Sequence, residues 1–195
     1  MNKGLLIVIS GPSGVGKGTV LSELFDNDAN LAYSVSCTTR KPRENEVDGV
    51  HYHYITVDQF KENIQNGKML EYTEYCGNYY GTGAEYVDAM RNSGKDVALE
   101  IEIDGALQVM KRCKDVLSIF IAPPSFEVLK SRLYKRGTEK EEVIVRRVEK
   151  AKEELSHVNE YEYVVVNDEL FEAVSDVASI IRAARIKNNK INYKF

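Results

Sequence analysis

One short loop near the start constrains this chain more than any other feature. Gly11-Pro12-Ser13-Gly14-Val15-Gly16-Lys17 has the spacing G-x-x-x-x-G-K, and it follows the continuous apolar, partly β-branched run Leu5-Leu6-Ile7-Val8-Ile9. A run of that kind ending in glycine reads as a strand buried on both faces of a parallel sheet. A helical pattern from Lys17 to Phe25 follows it. A backbone that must wrap its N–H groups around phosphate oxygens needs glycines, because side chains would obstruct the approach. The helix N-terminus adds partial positive charge, and Lys17 can reach the outer phosphates. With strand, loop, lysine and helix in register, the segment reads as a phosphate-binding P-loop.

Short apolar runs recur at Val97-Ala98-Leu99, Leu117 to Ala122 and Tyr163 to Val166, each followed by a helical pattern. That alternation marks βαβ units, hence an α/β fold around a parallel sheet. Ser125 after Pro123-Pro124 suits a helix N-cap, and Thr138-Glu139-Lys140-Glu141 has capping-box spacing. Beyond it Ile144, Val148, Ala151 and Leu155 share one helical face, and Leu170, Val174, Val177, Ala178 and Ile181 stripe the last helix. Between about Ser34 and Gly83 the pattern alternates and is rich in tyrosine. This stretch predicts a small antiparallel or mixed sheet with one helix, Asp58 to Asn66, inserted between the first and second core βα units.

A length of 195 residues suits one domain, and 43% hydrophobic with 29% charged residues excludes disordered and fibrous classes. The net charge of −4 argues against a uniformly basic surface for nucleic acid or anionic membrane. It also conceals an asymmetry. Residues 130–150 carry eight basic and four acidic side chains, whereas 153–176 carry eight acids and no Lys or Arg. Cys37, Cys76 and Cys113 form no CxxC pair and read as reduced thiols of a cytoplasmic chain. Leu5 to Ile9 is too short for a signal core or a membrane span, so no targeting segment is expected. His51, His53 and His157 have neither metal-ligand nor triad spacing.

One position departs from the strict loop pattern. Gly18 follows Lys17, and the hydroxyl that usually touches Mg²⁺ comes one place later, at Thr19. The metal is then expected to rest mainly on phosphates, water and a remote carboxylate. Glu100, ending the Val97-Ala98-Leu99 strand, is placed for that role through water, with Thr19 as a weaker candidate.

Further segments, in order, are Ser34-Val35-Ser36-Cys37-Thr38-Thr39-Arg40-Lys41-Pro42-Arg43, Gly77-Asn78-Tyr79-Tyr80-Gly81-Thr82, Leu99-Glu100-Ile101-Glu102, Ile121-Ala122-Pro123-Pro124-Ser125, Arg136-Gly137-Thr138-Glu139 and Val166-Asn167-Asp168. With the P-loop they make the chain resemble the guanylate kinase family from about Leu5 to Val177. The resemblance implies a three-layer P-loop kinase core over about 1–33, 84–124 and 157–195. It also implies a GMP-binding region over about 34–83 and a helical lid over about 125–156, all within one domain spanning 1–195. The implied reaction moves the γ-phosphoryl group of ATP to GMP or dGMP with Mg²⁺, and neither nucleic acid nor membrane is a partner. A monomer and a homodimer both remain open.

By the same resemblance ATP is bound by Gly11 through Thr19 and by Asn167, with Asp168 nearby. Arg40 and Arg43 match the arginines that grip the GMP phosphate, which planar guanidinium groups can do through paired charge-assisted bonds; Tyr52 and Tyr80 would donate hydroxyls to it. Glu71 matches the acid that reads the base. Guanine offers N1–H and its 2-amino group as adjacent donors to one carboxylate, whereas adenine would present a lone pair. Ser36, Thr82 and Glu102 match other base-contacting positions, although an aspartate is usual at the last. His51 and Asp104 replace the expected aspartate and glutamine and receive no role. Lys17, Arg40 and the lid arginines Arg132, Arg136 and Arg147 are the expected catalytic set, with Arg146 adjacent to the last of them. The rival readings are another small P-loop monophosphate kinase and a catalytically silent guanylate-kinase-like binding module.

Overall fold

Leu6–Ser10 forms strand β1, buried along its whole length because neighbours cover it on both edges and both faces. The computed structural model describes residues 3–75, 77–135 and 141–188. Cys76, Arg136 and the predicted capping box beginning at Thr138 lie outside them. The chain continues through α1 (Lys17–Asn27), β2 (Leu31–Tyr33), β3 (Cys37–Thr38), β4 (His53–Tyr54), α2 (Val57–Gln65), β5 (Met69–Tyr75) and β6 (Asn78–Gly83). It then runs through α3 (Ala84–Asn92), β7 (Asp96–Glu100), α4 (Ile103–Arg112), β8 (Val116–Ala122), α5 (Phe126–Lys135), α6 (Glu141–Ser156), a 3₁₀ turn at Val158–Glu160, β9 (Tyr163–Val166) and α7 (Leu170–Asn188).

Five strands make a parallel sheet in the order β2-β7-β1-β8-β9. The two faces of β1 feed two cores. Ile7 and Ile9 pack with Val20, Leu21 and Leu24 of α1 and with Val177 and Ile181 of α7. Leu6 and Val8 pack with Val87 of α3 and with Ile103, Ala106 and Val109 of α4. Helices thus cover both sides of the sheet in three layers, and each such buried aliphatic side chain stabilises the fold by ~1.5–3 kcal/mol.

Three details depart from the sequence pattern. β2 lacks an apolar run of its own, yet Leu31 is buried and the strand pairs with β7. β9 is an edge strand, so of its four residues only Val165 is buried while Val164 and Val166 face outward. On α7, Leu170 and Ala178 are exposed and Ala173 takes their place beside Val177 and Ile181.

The second sheet, in the order β4-β3-β6-β5, is mixed: β3 pairs parallel with β4 and antiparallel with β6. Thr56 caps α2 in a reciprocal capping box with Gln59. Glu71 and Thr82 stand opposite each other across β5 and β6, as do Thr73 and Tyr80. Residues two apart on a strand share a face, so these four side chains point the same way. Ser125 Oγ accepts from the Val128 N–H (3.2 Å) and caps α5 as predicted. Among the described residues no helix is long and apolar enough to cross a membrane.

Candidate active site

The loop 11–17 leaves the carboxyl end of β1 and closes on α1 through glycine conformations. Gly16, the residue before α1, has φ 99°, and a Cβ there would come 2.7 Å from Asn167 Nδ2. Gly11 has φ 152°, and its Cβ would come 2.2 Å from the Ile121 carbonyl oxygen. Side chains brace the same turn: Asn167 Nδ2 donates to the Val15 carbonyl (2.8 Å), and Arg132 donates to the Asn167 carbonyl (2.9 Å). Lys17 Nζ folds back onto the Gly11 carbonyl oxygen at 2.6 Å. Burial lowers its pKa, against the pull of Glu100, Glu154 and Glu102.

One face of α6 meets this loop. Arg147 donates to Ser13 Oγ (2.9 Å), and Lys150 reaches Glu102 Oε2 (2.8 Å). Glu154 Oε2 accepts the Ser13 backbone N–H (3.0 Å), a donor of the type a phosphate oxygen would use. Residues 147, 150 and 154 stand at i, i+3 and i+7, which puts all three on one side of the helix. Burial raises the Glu154 pKa, opposed by the Ser13 N–H and by Lys150 and Lys17. Between loop and helix lies a cavity of about 540 Å³ lined by Gly11, Ser13, Lys17, Glu100, Arg147 and Glu154 among others.

A second cavity of about 260 Å³ opens against the small sheet, and it shares Tyr52, Glu100, Ile101 and Glu102 with the first. Glu71 lies at its inner end, 4% exposed, with Oε1 accepting the Thr82 hydroxyl at 2.7 Å. Burial raises its pKa, and the Thr82 bond partly offsets the shift. Glu100, where the cavities meet, is likewise raised by burial and pulled down by Lys17. Beside the second cavity the Arg40 guanidinium lies 5.6 Å from the Tyr52 ring centre and grips both oxygens of Glu46 at 2.9 Å. Glu46 also accepts from the Tyr54 hydroxyl (2.9 Å) and the Arg43 N–H (2.7 Å). These donors, Arg40 first, bring its carboxyl down to about 2, and Glu46 in turn raises Arg40.

The sequence pattern of the guanylate kinase family matches residues 3–184 of this chain. A guanylate kinase of Lactococcus lactis is 52% identical over 97% of the chain and 92% of its own length. One from Halalkalibacterium halodurans is 50% identical over 99% and 95%. The chain belongs to the guanylate kinase family. The crystal structure of guanylate kinase from Anaplasma phagocytophilum superposes with a TM-score of 0.74 at 33% identity, covering 93% of this chain and 86% of that one.

Family membership lets the expected residues be followed one by one. Gly11, Ser13 and Lys17 line the first cavity, and Ser36, Glu71 and Tyr80 line the second. Thr82 reaches it through its bond to Glu71, while Tyr52 and Glu102 border both. Arg147 is the inward arginine of its pair; Arg146 is exposed. Arg132 braces the P-loop from behind, and Asn167 holds Val15 and so acts on the loop itself. Gly18 and Thr19 are exposed, and Thr19 lines neither cavity; a Cβ on Gly18 would sit 3.9 Å from Glu100 Oε1. The Arg43 side chain is exposed and lines neither cavity; only its backbone N–H is seen to join the Glu46 cluster. His51, given no role from sequence, accepts the Val47 N–H at 3.0 Å and shapes the 47–51 turn.

Sequence reasoning missed Glu46, Tyr54, Lys150 and Glu154. Glu154 left a readable signal: it follows Ala151 by three residues, so a charged side chain stands beside an apolar stripe. Glu46 left none beyond being the acid nearest in sequence beyond Arg43-Glu44.

Proposed function

We propose that this guanylate kinase family enzyme moves the γ-phosphoryl group of ATP onto a phosphate oxygen of GMP, giving ADP and GDP. The carrying observation is the buried Glu71 carboxylate in a cavity that shares Tyr52, Glu100, Ile101 and Glu102 as walls with the Lys17 cavity. A base seated against Glu71 directs its own phosphate toward Tyr52 and Tyr80, and so toward the seam between the two cavities. ATP phosphates seated on the P-loop approach the same seam from the other side.

The residues then divide the work. Glu71 accepts the N1–H and 2-amino donors of guanine, while Ser36, Thr82 and Glu102 complete the base contacts. Arg40, pre-set by Glu46 and stacked near Tyr52, meets the GMP phosphate with Tyr52 and Tyr80, and family resemblance alone adds the exposed Arg43 side chain to that set. Lys17 leaves the Gly11 carbonyl for the triphosphate, where added negative charge opposes the burial that lowers its pKa. Arg147, on the face of α6 that meets the P-loop, balances charge on the triphosphate, and family resemblance alone assigns Arg132 and Arg136 the same part. The attacking oxygen belongs to a phosphate monoester whose second pKa is ~6, so it is already ionised and needs no general base. Catalysis is positioning and charge neutralisation.

Mg²⁺ would be the counter-ion of the ATP phosphates. The hard carboxylate oxygens of Glu100, beside Lys17 and Gly18, suit it through water, and the bound ion would supply charge neutralisation on the phosphates. Partition into a core, a GMP-binding region over 34–83 and a lid over 125–156 belongs to the same proposal, supported by the separate small sheet and by the contacts of α6 with the P-loop. A cytoplasmic location is supported by Cys37 and Cys113 standing as free thiols.

The test is a coupled ADP-release assay with ATP and Mg²⁺ against GMP, dGMP, AMP, UMP and IMP. Preference for GMP and dGMP is expected. Faster turnover of AMP or UMP refutes the Glu71 reading, and no turnover with any acceptor refutes the enzyme.

A further inference from the structure

The second oxygen of Glu71 lies against the first turn of α4. A Cβ on Gly105 would come 2.5 Å from Glu71 Oε2, 3.1 Å from Cδ and 3.4 Å from Cγ. The carboxylate therefore fills the space that any side chain at 105 would need. The backbone does not call for glycine there, since Gly105 lies within α4 and has no positive φ. Glycine is a poor helix former, ~1 kcal/mol worse than alanine in a helix interior and less so in a first turn such as this one. What the position gains in exchange is room.

The helix and the strand on either side of that carboxylate are tied to each other. Gln108 clasps the Tyr72 backbone, accepting its N–H at 3.2 Å and donating to its carbonyl at 2.9 Å. Arg112 donates to the Met69 carbonyl oxygen. Gly105, Gln108 and Arg112, at i, i+3 and i+7, share one face of α4, so two side chains lock that face onto β5 on either side of Glu71. Thr82 holds the other carboxylate oxygen at 2.7 Å, and Ile103, Ala106 and Val109 anchor α4 in the core. A methyl group at 105 would have to be accommodated by displacing the Glu71 carboxylate.

We infer that Gly105 is a positioning residue for acceptor specificity, its missing side chain giving the Glu71 carboxylate the seat from which it reads the base. The inference rests on the reading that this cavity takes the base of GMP.

The experiment compares Gly105→Ala and Gly105→Ser with the parent in the ADP-release assay, varying GMP, IMP (which lacks the 2-amino group) and ATP separately. Opening a 2.5 Å contact to an ordinary one moves the carboxylate by about 1 Å, a displacement worth up to ~10²-fold. The expected result is a KM for GMP raised about 10- to 100-fold, a reduced preference for GMP over IMP and an unchanged KM for ATP. Adding Glu71→Asp, which shortens the acid by one methylene, is expected to recover part of the loss in the Gly105→Ala background. An unchanged KM for GMP overturns the proposal, as does an equal loss toward GMP, IMP and ATP. Failure of both the single and the double variant to fold assigns the glycine to helix packing and overturns it too. Glu71→Gln separates the two levels. If that change leaves GMP kinetics intact, the base reading fails; if it damages them while Gly105→Ala does not, only the role of Gly105 fails.

Discussion

Replacing Glu71 by glutamine changes one buried oxygen into an N–H₂ group and removes one charge at almost constant volume. Thr82 can still donate to the remaining oxygen, so the 2.7 Å bond across β5 and β6 has a partner in the variant. Toward GMP the effect is large. Two charge-assisted hydrogen bonds, worth ~1.5–3 kcal/mol each, are lost or turned into a donor facing a donor. The sum of ~3–6 kcal/mol corresponds to a drop of ~10²–10⁴ in kcat/KM for GMP. Stability moves the other way. Burial raises the Glu71 pKa, so its contribution to stability is full below the unfolded-state value and is lost as pH rises through the folded-state value. At neutral pH the uncharged amide escapes that loss, and Glu71→Gln melts at or above the parent temperature. Steady-state kinetics with GMP varied at saturating ATP, alongside thermal melts at neutral pH, measure both effects. A loss under about tenfold, or a KM for ATP that moves with it, would refute the reasoning.

Lys17→Ala removes the only lysine of the P-loop, and turnover is expected to fall ~10²-fold or more while calorimetric GMP affinity stays the same; lost GMP binding with normal ATP affinity would reverse the two cavities. Glu154→Gln weakens the anion that holds the Ser13 N–H, so a non-hydrolysable ATP analogue should bind about three- to tenfold tighter, and weaker binding would contradict competition between that carboxylate and phosphate. Glu46, brought down to about 2, contributes stability above the ordinary glutamate range that is lost as pH falls through its folded value. Carbon-13 NMR of the side-chain carboxyls should show one glutamate titrating near 2, a resonance that Glu46→Gln removes; a midpoint in the ordinary range would disprove the Arg40 lock.

The alternation of apolar runs with helical patterns was enough to read a parallel α/β sheet, because a strand covered on both faces has to be apolar throughout. β1 shows the rule, with Leu6 and Val8 serving one core and Ile7 and Ile9 the other. β2 was not legible: its three residues acquire strand geometry from pairing with β7, a contact more than sixty residues away in sequence. Edge position was not legible either, so the exposure of Val164 and Val166 had no signature in the run Tyr163 to Val166. The phosphate loop announced itself because its chemistry is contained in consecutive residues, where glycine spacing alone dictates which amides can converge. Glu46 on Arg40, Glu154 on Ser13 and Glu71 against Gly105 are contacts between distant segments, and their partners are chosen by helix docking and strand register. By itself the sequence determined the phosphate loop, the alternation that builds the core and, through family resemblance, the candidate residues around the loop. Only the tertiary structure decided which carboxylates are buried, which cations they face and where a missing side chain leaves room. Burial and charge pairing depend on distances that no local spacing encodes.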